Sequence, residues 1–453
     1  MHLSAAGIEF VDLQYTDLTG FLRSVTVPYK SYKEKLPNFV GAFDGSSVEG
    51  FEPINKSDMF LKADEKTFSV LPWNDKKARV LTEIYNSYSK RYQKDPRYIA
   101  SLATNYIKEQ GFSPLVGTEV EFFLFNSVKI NVENPIKGIG YNLNSIEQPW
   151  DNDSLSLRTK KAYHFSQPND KLAEVREKII NSFNKMGYDF EASHHEVAVS
   201  QNEISVKAGD PLFVADEVIT FKYVARNISL ENGLIPVFMP KPLFGDNGSG
   251  LHFTLRLWNL DMKENLFFDQ SSNDLSQLAR YFIGGILYHG KSLAAIVAPT
   301  TNSYHRLVPG YEAPVYLVWG HSNRSAAIRI PATGGRSKLT RIEFRSPDPT
   351  CNPYLALSAT LLAGIDGIKK KIDPGDPYEM DVYEIPKEKL SENVSVLPKS
   401  LDEALDELES DNEYLQPVFS KELINSYIEI KRKESDTIRM MPNPYEIYMY
   451  INL

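Results

Sequence analysis

The sequence predicts an α+β protein with a small β-rich N-terminal domain, a larger domain of alternating strands and helices, and a mainly helical C-terminal region. Three observations carry this reading. Residues 1 to about 95 hold short strand-like runs, FVDLQYTD and FLRSVTVP among them, broken by turn residues. From about 115 to 350, period-two runs alternate with helical patterns. After about 380 the chain reads mainly as helix, including the capping-box pattern SLDE at 400–403.

Taken in order, Asp95-Pro96 opens a helix with proline in its first turn, and an amphipathic segment over 98–110 ends at Gly111. A domain boundary is placed at residue 97. The strand VGTEVEFFLF at 116–125 follows, then a helix over 171–186. The stretch HHEVAVSQNEISV at 194–206 reads as two strand-like pieces with a turn at 200–202. A helix over 216–230, the strand LHFTLRLW, and the short strands SAAIRIP and TRIEFRS complete the domain. The apolar run at 355–368 is too short for a membrane span and carries Asp366, which makes it a core helix. The acidic residues of SLDEALDEL are expected on a solvated helix face.

Bulk properties narrow the function classes. A net charge of −9 argues against a general nucleic-acid binder, and 42% hydrophobic with 24% charged residues is ordinary for a globular protein of 453 residues. The N-terminus lacks the basic head and apolar core of a signal peptide, and no apolar run reaches membrane length. The single cysteine, Cys351, rules out an internal disulfide framework. A cytoplasmic protein with no membrane or nucleic-acid partner is expected.

The chemistry starts with Glu119 and Glu121. In an extended chain they share one face with Phe123 and Phe125, about 7 Å apart. Two carboxylates so placed repel each other and resist desolvation. Either this is an edge strand with a wet polar face, or something positive sits between them. Other strands carry matching groups. Glu196 and Glu203 lie in 194–206. A turn with Gly245, Gly248 and Gly250 feeds a strand on which His252, Thr254 and Arg256 face one way. Arg341, Glu343 and Arg345 share a face opposite Ile342 and Phe344. Each signal alone is weak, because a strand histidine or a Glu between arginines is usually structural. Together, five glutamates and one histidine form an oxygen-rich donor set suited to two hard divalent cations. The nearby arginines suit phosphate or carboxylate recognition. The residues therefore indicate a two-metal enzyme handling phosphate, and a hydrolase fits that statement as well as a ligase.

The motifs FDGSS (43–47), EVEFFLF (119–125), HHEVAVSQNE (194–203), NGSGLH (247–252), RLVPGYEAP (306–314), NRSAAIRIP (323–331), RIEFRSPDPTCNPYLA (341–356) and RMMPNPYEIYMY (439–450) run in order along the chain. Together they resemble type I glutamine synthetase. The resemblance implies a β-grasp-like N-terminal domain over 1–97 and a catalytic domain over 98–453 with a curved, mainly antiparallel sheet and a C-terminal helical region. It implies ATP-dependent joining of glutamate and ammonia through γ-glutamyl phosphate, with two or more Mg2+ or Mn2+ per subunit. It also implies a dodecamer of two hexameric rings whose sites lie between ring neighbours.

Residue by residue, the resemblance implies Glu121, Glu196 and Glu203 as ligands of one metal and Glu119, His252 and Glu343 as ligands of the other. Asn247, Gly248, His252, Arg306 and Arg345 fall at glutamate-binding positions. Arg324 and Arg329 would stabilise the transferring phosphoryl group, Arg345 would also be catalytic, and Arg329, Lys338 and Arg341 would hold the nucleotide. Glu312 would sit on a mobile flap. Asp44 and Ser47 would come from a neighbouring subunit to an ammonium site completed by Tyr163, with Asp44 taking the proton from ammonium. Thr254 replaces the second histidine of some members, and Pro53 stands where the product-inhibited branch has arginine. Tyr383, at a position adenylylated in some members, is expected to be a packing residue. The rival reading is a ligase using another amine, disfavoured by Asp44 and Tyr163. A non-catalytic paralogue would have no need of the six ligands.

Overall fold

A computed structural model of the protein describes residues 7–87, 90–148, 156–384 and 394–452. In its N-terminal part, strands Phe10–Thr16, Leu22–Pro28, Phe39–Asp44, Asp58–Ala63 and Asn74–Ser87 form the main path of a mixed sheet. Phe10–Thr16 pairs antiparallel with Leu22–Pro28 and parallel with Asn74–Ser87, and the helix Tyr29–Lys35 packs beside it. The helix Pro96–Glu109 follows, capped by the Asp95 carboxylate on the Arg97 amide, with Pro96 in the first turn. Gly111 lies at φ +90°, in the left-handed region that ends helices.

The second sheet positions the site. Among the described residues it has eight strands, and its main path runs Phe190–His195, Gln201–Gly209, Phe112–Phe125, Leu251–Asn259, Ile342–Phe344, Ile328–Ile330 and Trp319–His321. Ile235–Val237 pairs with the end of Phe112–Phe125. Every pairing is antiparallel except that of the last two strands on the path. The alternation read from the sequence is present. Val116, Val120, Phe122 and Leu124 enter the main core against the helix Pro211–Glu231, whereas Phe123 and Phe125 build a separate cluster with Ala198 on the other face. The helix Pro353–Lys370 is buried along nearly all its length and packs on Gln277–Tyr288, Pro96–Glu109 and Pro211–Glu231.

Three local expectations need correction. The turn expected at 200–202 lies at 196–200, because Ser200 takes a left-handed φ of +66° and the next strand already begins at Gln201. The helix expected over 216–230 spans Pro211–Glu231, since Asp210 caps it and Pro211 fits its first turn. At 400–403 only half of the capping box forms. Ser400 accepts from the Glu403 amide, while the Glu403 carboxylate reaches the amide of Lys399 instead of Ser400. The helix Leu401–Ser410 does carry its acidic side chains outward, where Asp406 and Glu409 meet Arg432.

The two sheet regions are joined by polar contacts as well as by the shared core. Asn352 donates to the carbonyls of Asp17 and Leu18. Arg97 bridges Asp64 and Asp216, and Arg79 donates to Tyr188 and Thr220. The C-terminal helices Lys421–Arg439 and Pro444–Tyr450 differ sharply, the first burying one face and the second leaving every side chain exposed. No described helix is long and apolar enough to cross a membrane.

Candidate active site

Strand register brings the predicted carboxylates together. Glu203 stands directly across from Glu121 on one side and from His194 on the other. One row along, Glu119 lies between Ser205 and His252. A further row pairs Glu343 with Thr254 and with Arg329. Like charges directly opposed across strands are destabilising, so the Glu121–Glu203 pair needs compensation.

His252 supplies part of it. Its Nε2 lies 3.6 Å from Glu121, and its Nδ1 lies 3.4 Å from Glu119 and 3.8 Å from Glu343. Glu121 also accepts from the Gly250 amide at 2.8 Å and from Gln201 Nε2 at 3.1 Å. Gly250 is required for this approach, because a Cβ there would come within 2.6 Å of both Arg306 and His252. Glu196 sits on the turn after Phe190–His195, where its carboxylate accepts from the Val197 amide and lies 3.6 Å from His194. That turn is pinned from behind by buried His195, which bonds the Glu196 carbonyl and Glu147, while Glu147 also accepts from the Ser200 amide.

The electrostatics divide the carboxylates into two kinds. Burial pushes Glu196 well above the ordinary carboxylate range, and Glu121 and Glu203 push it further. Burial also raises Glu121, against the pull of His252. Burial opposes the charge on Glu203 as well, but the hydrogen bond and charge of His194 and the charge of His252 together outweigh it and hold this group low. Glu343 is likewise held low against burial, by Arg345, His252 and Arg329. The His194–Glu196–Glu203 and Glu119–His252–Glu343 groups each hold three donor atoms within 4.8 Å of one another. Crowded carboxylates with one imidazole per group fit hard divalent cations, and the raised Glu121 and Glu196 show that the first cluster is short of positive charge. A third such group, Glu147–Asp170–His195, is buried and already tied to Arg176, which makes it structural.

These groups line a cavity of about 640 Å³. It brings together Glu119, Glu121, Tyr163, Glu196, Glu203, Asn247, Gly248, His252, Arg306, Glu312, Arg324, Arg329 and Arg345, all singled out in the sequence. Glu343 lies behind Arg329 and Arg345, ion-paired to both. The Nε atoms of Arg329 and Arg345 are buried with no hydrogen-bond partner among the described residues. Arg306 gives three of its five donor hydrogens to the carbonyls of Arg345, Ser346 and Pro347.

Besides Glu343, four predicted residues lie outside the cavity wall. Lys338 and Arg341 belong to the segment leading into Ile342–Phe344, with Lys338 in the turn Ser337–Leu339. Asp44 and Ser47 lie on the N-terminal sheet's turn, where the Ser46 and Ser47 hydroxyls bond the Asp44 carboxylate and hold it below its usual range. The sequence reading missed Lys160, His164, His194, Gln201, Ser205 and Tyr311 on the wall. Gln201, Glu203 and Ser205 share one strand face, so a strand start at Gln201 would have revealed two of them. No local pattern marks Lys160.

The Tyr383 hydroxyl donates to the Ala313 carbonyl. The family model described as glutamine synthetase, catalytic domain, matches residues 93–450, and that described as glutamine synthetase, beta-Grasp domain, matches residues 7–87. A glutamine synthetase of Sulfolobus acidocaldarius is 47% identical over 99% of this chain and 97% of its own. One of Methanosarcina mazei is 40% identical over 98% of this chain and 95% of its own. The Plasmodium falciparum glutamine synthetase structure superimposes with a TM-score of 0.88 at 29% identity, over 98% of this chain and 96% of that one. An ADP complex of GmaS superimposes with a TM-score of 0.84 at 28% identity, over 99% and 97% of the two chains. With family models matching both parts of the chain and a relative 47% identical along nearly its whole length, the chain belongs to the glutamine synthetase family.

Proposed function

We propose that this protein joins L-glutamate and ammonia with cleavage of ATP, through γ-glutamyl phosphate. The observation that carries the reading is that Glu119, Glu121, Glu196, Glu203 and His252 line one cavity together with Arg324, Arg329 and Arg345. Divalent cations held by Glu121, Glu196 and Glu203 and by Glu119, His252 and Glu343, Mg2+ or Mn2+, would supply Lewis-acid neutralisation of the phosphate and carboxylate charge.

The protein's own groups then act in order. Asn247, Gly248, His252, Arg306 and Arg345 orient glutamate, while Arg329, Lys338 and Arg341 hold the nucleotide. The ADP bound by GmaS supports a nucleotide place in this fold. A γ-carboxylate oxygen of glutamate attacks the terminal phosphorus and ADP leaves, with Arg324, Arg329 and Arg345 donating to the transferring oxygens. Ammonium binds among Tyr163, Glu312 and the Asp44 and Ser47 of a neighbouring copy. Asp44 takes one proton, the resulting ammonia attacks the acyl carbon, and the carbon–oxygen bond to phosphate breaks as the nitrogen gives up a second proton, which leaves with hydrogen phosphate, so that the neutral amide forms. The flap carrying Glu312 keeps water from the acyl phosphate.

This reading makes 1–97 a unit that serves a neighbour's site and 98–453 the catalytic unit. It also implies a ring-forming homo-oligomer, a dodecamer of two hexamers in the cytoplasm. Exposed Tyr445, Ile447, Tyr448 and Met449 on the terminal helix support assembly, because a lone apolar helix in water is unfavourable. The deciding assay measures phosphate release from ATP and glutamate with ammonium against a panel of amines. Faster turnover with another amine at low concentration would reassign the enzyme to the amine-ligase reading.

A further inference from the structure

The flap at 309–314 is held at four consecutive residues. Lys160 Nζ donates to the Gly310 carbonyl at 3.1 Å, Arg345 donates to the Glu312 carbonyl at 3.2 Å, and Tyr383 donates to the Ala313 carbonyl. Between them, the ring of Tyr311 lies under two ammonium groups, with Lys160 Nζ 3.8 Å and Lys241 Nζ 3.7 Å from its centroid. Glu312 itself takes a left-handed φ of +58° at a non-glycine position, and its carboxylate makes no hydrogen bond among the described residues. Nothing local keeps it there, so the anchoring must come from its neighbours.

The two lysines share one support. Asp246, 3% exposed, accepts from the amides of Lys160, Val199 and Asn247 at 3.0–3.1 Å. Its carbonyl accepts from Lys241 Nζ. The backbone of Lys241 is fixed in turn by both ends of the Asn302 amide. Asp246 therefore ties both cation-bearing segments to the turn carrying Glu196 and to Asn247 of the glutamate pocket.

We propose that Lys160 and Lys241 are positioning residues that latch the closed flap through the ring of Tyr311, and so set Glu312 over the cavity. The inference rests on the ligase reading above. Each cation–π contact shifts an equilibrium by about two- to fivefold when exposed, so loss of both opens the flap about tenfold more often. An open flap lets the acyl phosphate escape productive use. Its acyl carbon is attacked by water, returning glutamate and phosphate, or by the substrate's own amino group, closing a lactam and releasing phosphate.

The test compares Tyr311→Leu, Tyr311→Phe and Lys160→Met as full-length oligomers. The first readout is phosphate released per glutamine formed at limiting ammonium. The second is hydrogen exchange of the 309–314 amides, which does not depend on turnover. Tyr311→Leu should raise both severalfold, and Lys160→Met should raise both by a smaller factor. Tyr311→Phe keeps the ring and should match wild type, since the Tyr311 hydroxyl makes no hydrogen bond among the described residues. If Tyr311→Leu does not fold, Lys160→Met decides. Wild-type exchange and coupling in the Leu or Met variant, or a leak in Tyr311→Phe equal to that in Tyr311→Leu, overturns the latch. A wild-type protein that makes no glutamine overturns the ligase reading instead, and the exchange measurement still judges the latch.

Discussion

If Asp44 serves a neighbour's cavity, two inactive proteins should rescue each other when their subunits mix. The structure motivates the choice of partners. Asp44 is exposed, bonds only Ser46 and Ser47 of its own turn, and is absent from the wall of its own chain's cavity. Arg324 is on that wall, exposed, and forms no hydrogen bond or ion pair among the described residues. Arg324→Ala therefore strands no buried charge. Arg345→Ala would, because Glu343 is buried against it at 2.6 Å, and breaking such a pair costs about 3–5 kcal/mol. Asp44→Ala and Arg324→Ala oligomers should each be nearly inactive. After dissociation and random reassembly of equal amounts, a site is whole when its FDGSS donor is the Arg324 variant and its catalytic donor is the Asp44 variant. Each condition holds for about half the sites, so about one quarter of wild-type activity should return if ring neighbours associate independently. Glutamine formation is the assay, with native mass spectrometry to verify mixing. Mixed oligomers that stay inactive would place the whole site within one chain.

Three further outcomes are expected. Asp44→Ala should still form the acyl phosphate, so ATP hydrolysis with glutamate should persist while glutamine formation falls and the ammonium requirement rises; undiminished synthesis at low ammonium contradicts the role. Glu119→Ala should weaken metal-dependent nucleotide chemistry with little change in metal-free melting temperature. Glu121→Ala should weaken glutamate and ammonium handling and also lower metal-free stability by about 1–3 kcal/mol, because the buried Gly250 amide loses its acceptor. Equal metal binding in both variants and wild type, by calorimetry, would break the ligand assignment. Glu217 is 1% exposed with an unpartnered oxygen, and burial, reinforced by Asp189 and Asp216, pushes its carboxyl from 4.5 up to about 8. A raised folded-state pKa favours the native protein below pH 4.5 and loses that advantage as pH climbs through 8. Glu217→Gln should thus be more stable than wild type by about 3 kcal/mol at pH 7, with a gap that grows from pH 5 to 8 and then levels. Unfolding measured across that range would refute the argument if the gap were independent of pH.

Much of the site was legible because strand alternation is local. The run at 116–125 put Glu119 and Glu121 on one face, and the same rule placed His252 and Glu343, so the carboxylate cluster followed from side-chain periodicity once those strands paired. What alternation cannot supply is the partner across the strand. The question posed by the glutamate pair was what sits between them, and the answer depends on register: His252 is opposite Glu119 and reaches Glu121 through its other nitrogen. The turn at 196–200 escaped for a different reason. Its left-handed position is Ser200, not glycine or asparagine, and it is held by Glu147 more than fifty residues away, so no local signal marks it. The same holds for Lys160, Lys241 and Tyr311, which meet only because Asp246 ties distant segments together. The strands that carry the clustered carboxylates are thus written in local pattern, whereas the turns and lysines that tie those strands to the 309–314 segment are written in long-range contacts. Chemistry that needs one face of one strand can be read from a single sequence, and chemistry that needs loops from several parts of the chain to meet requires the fold.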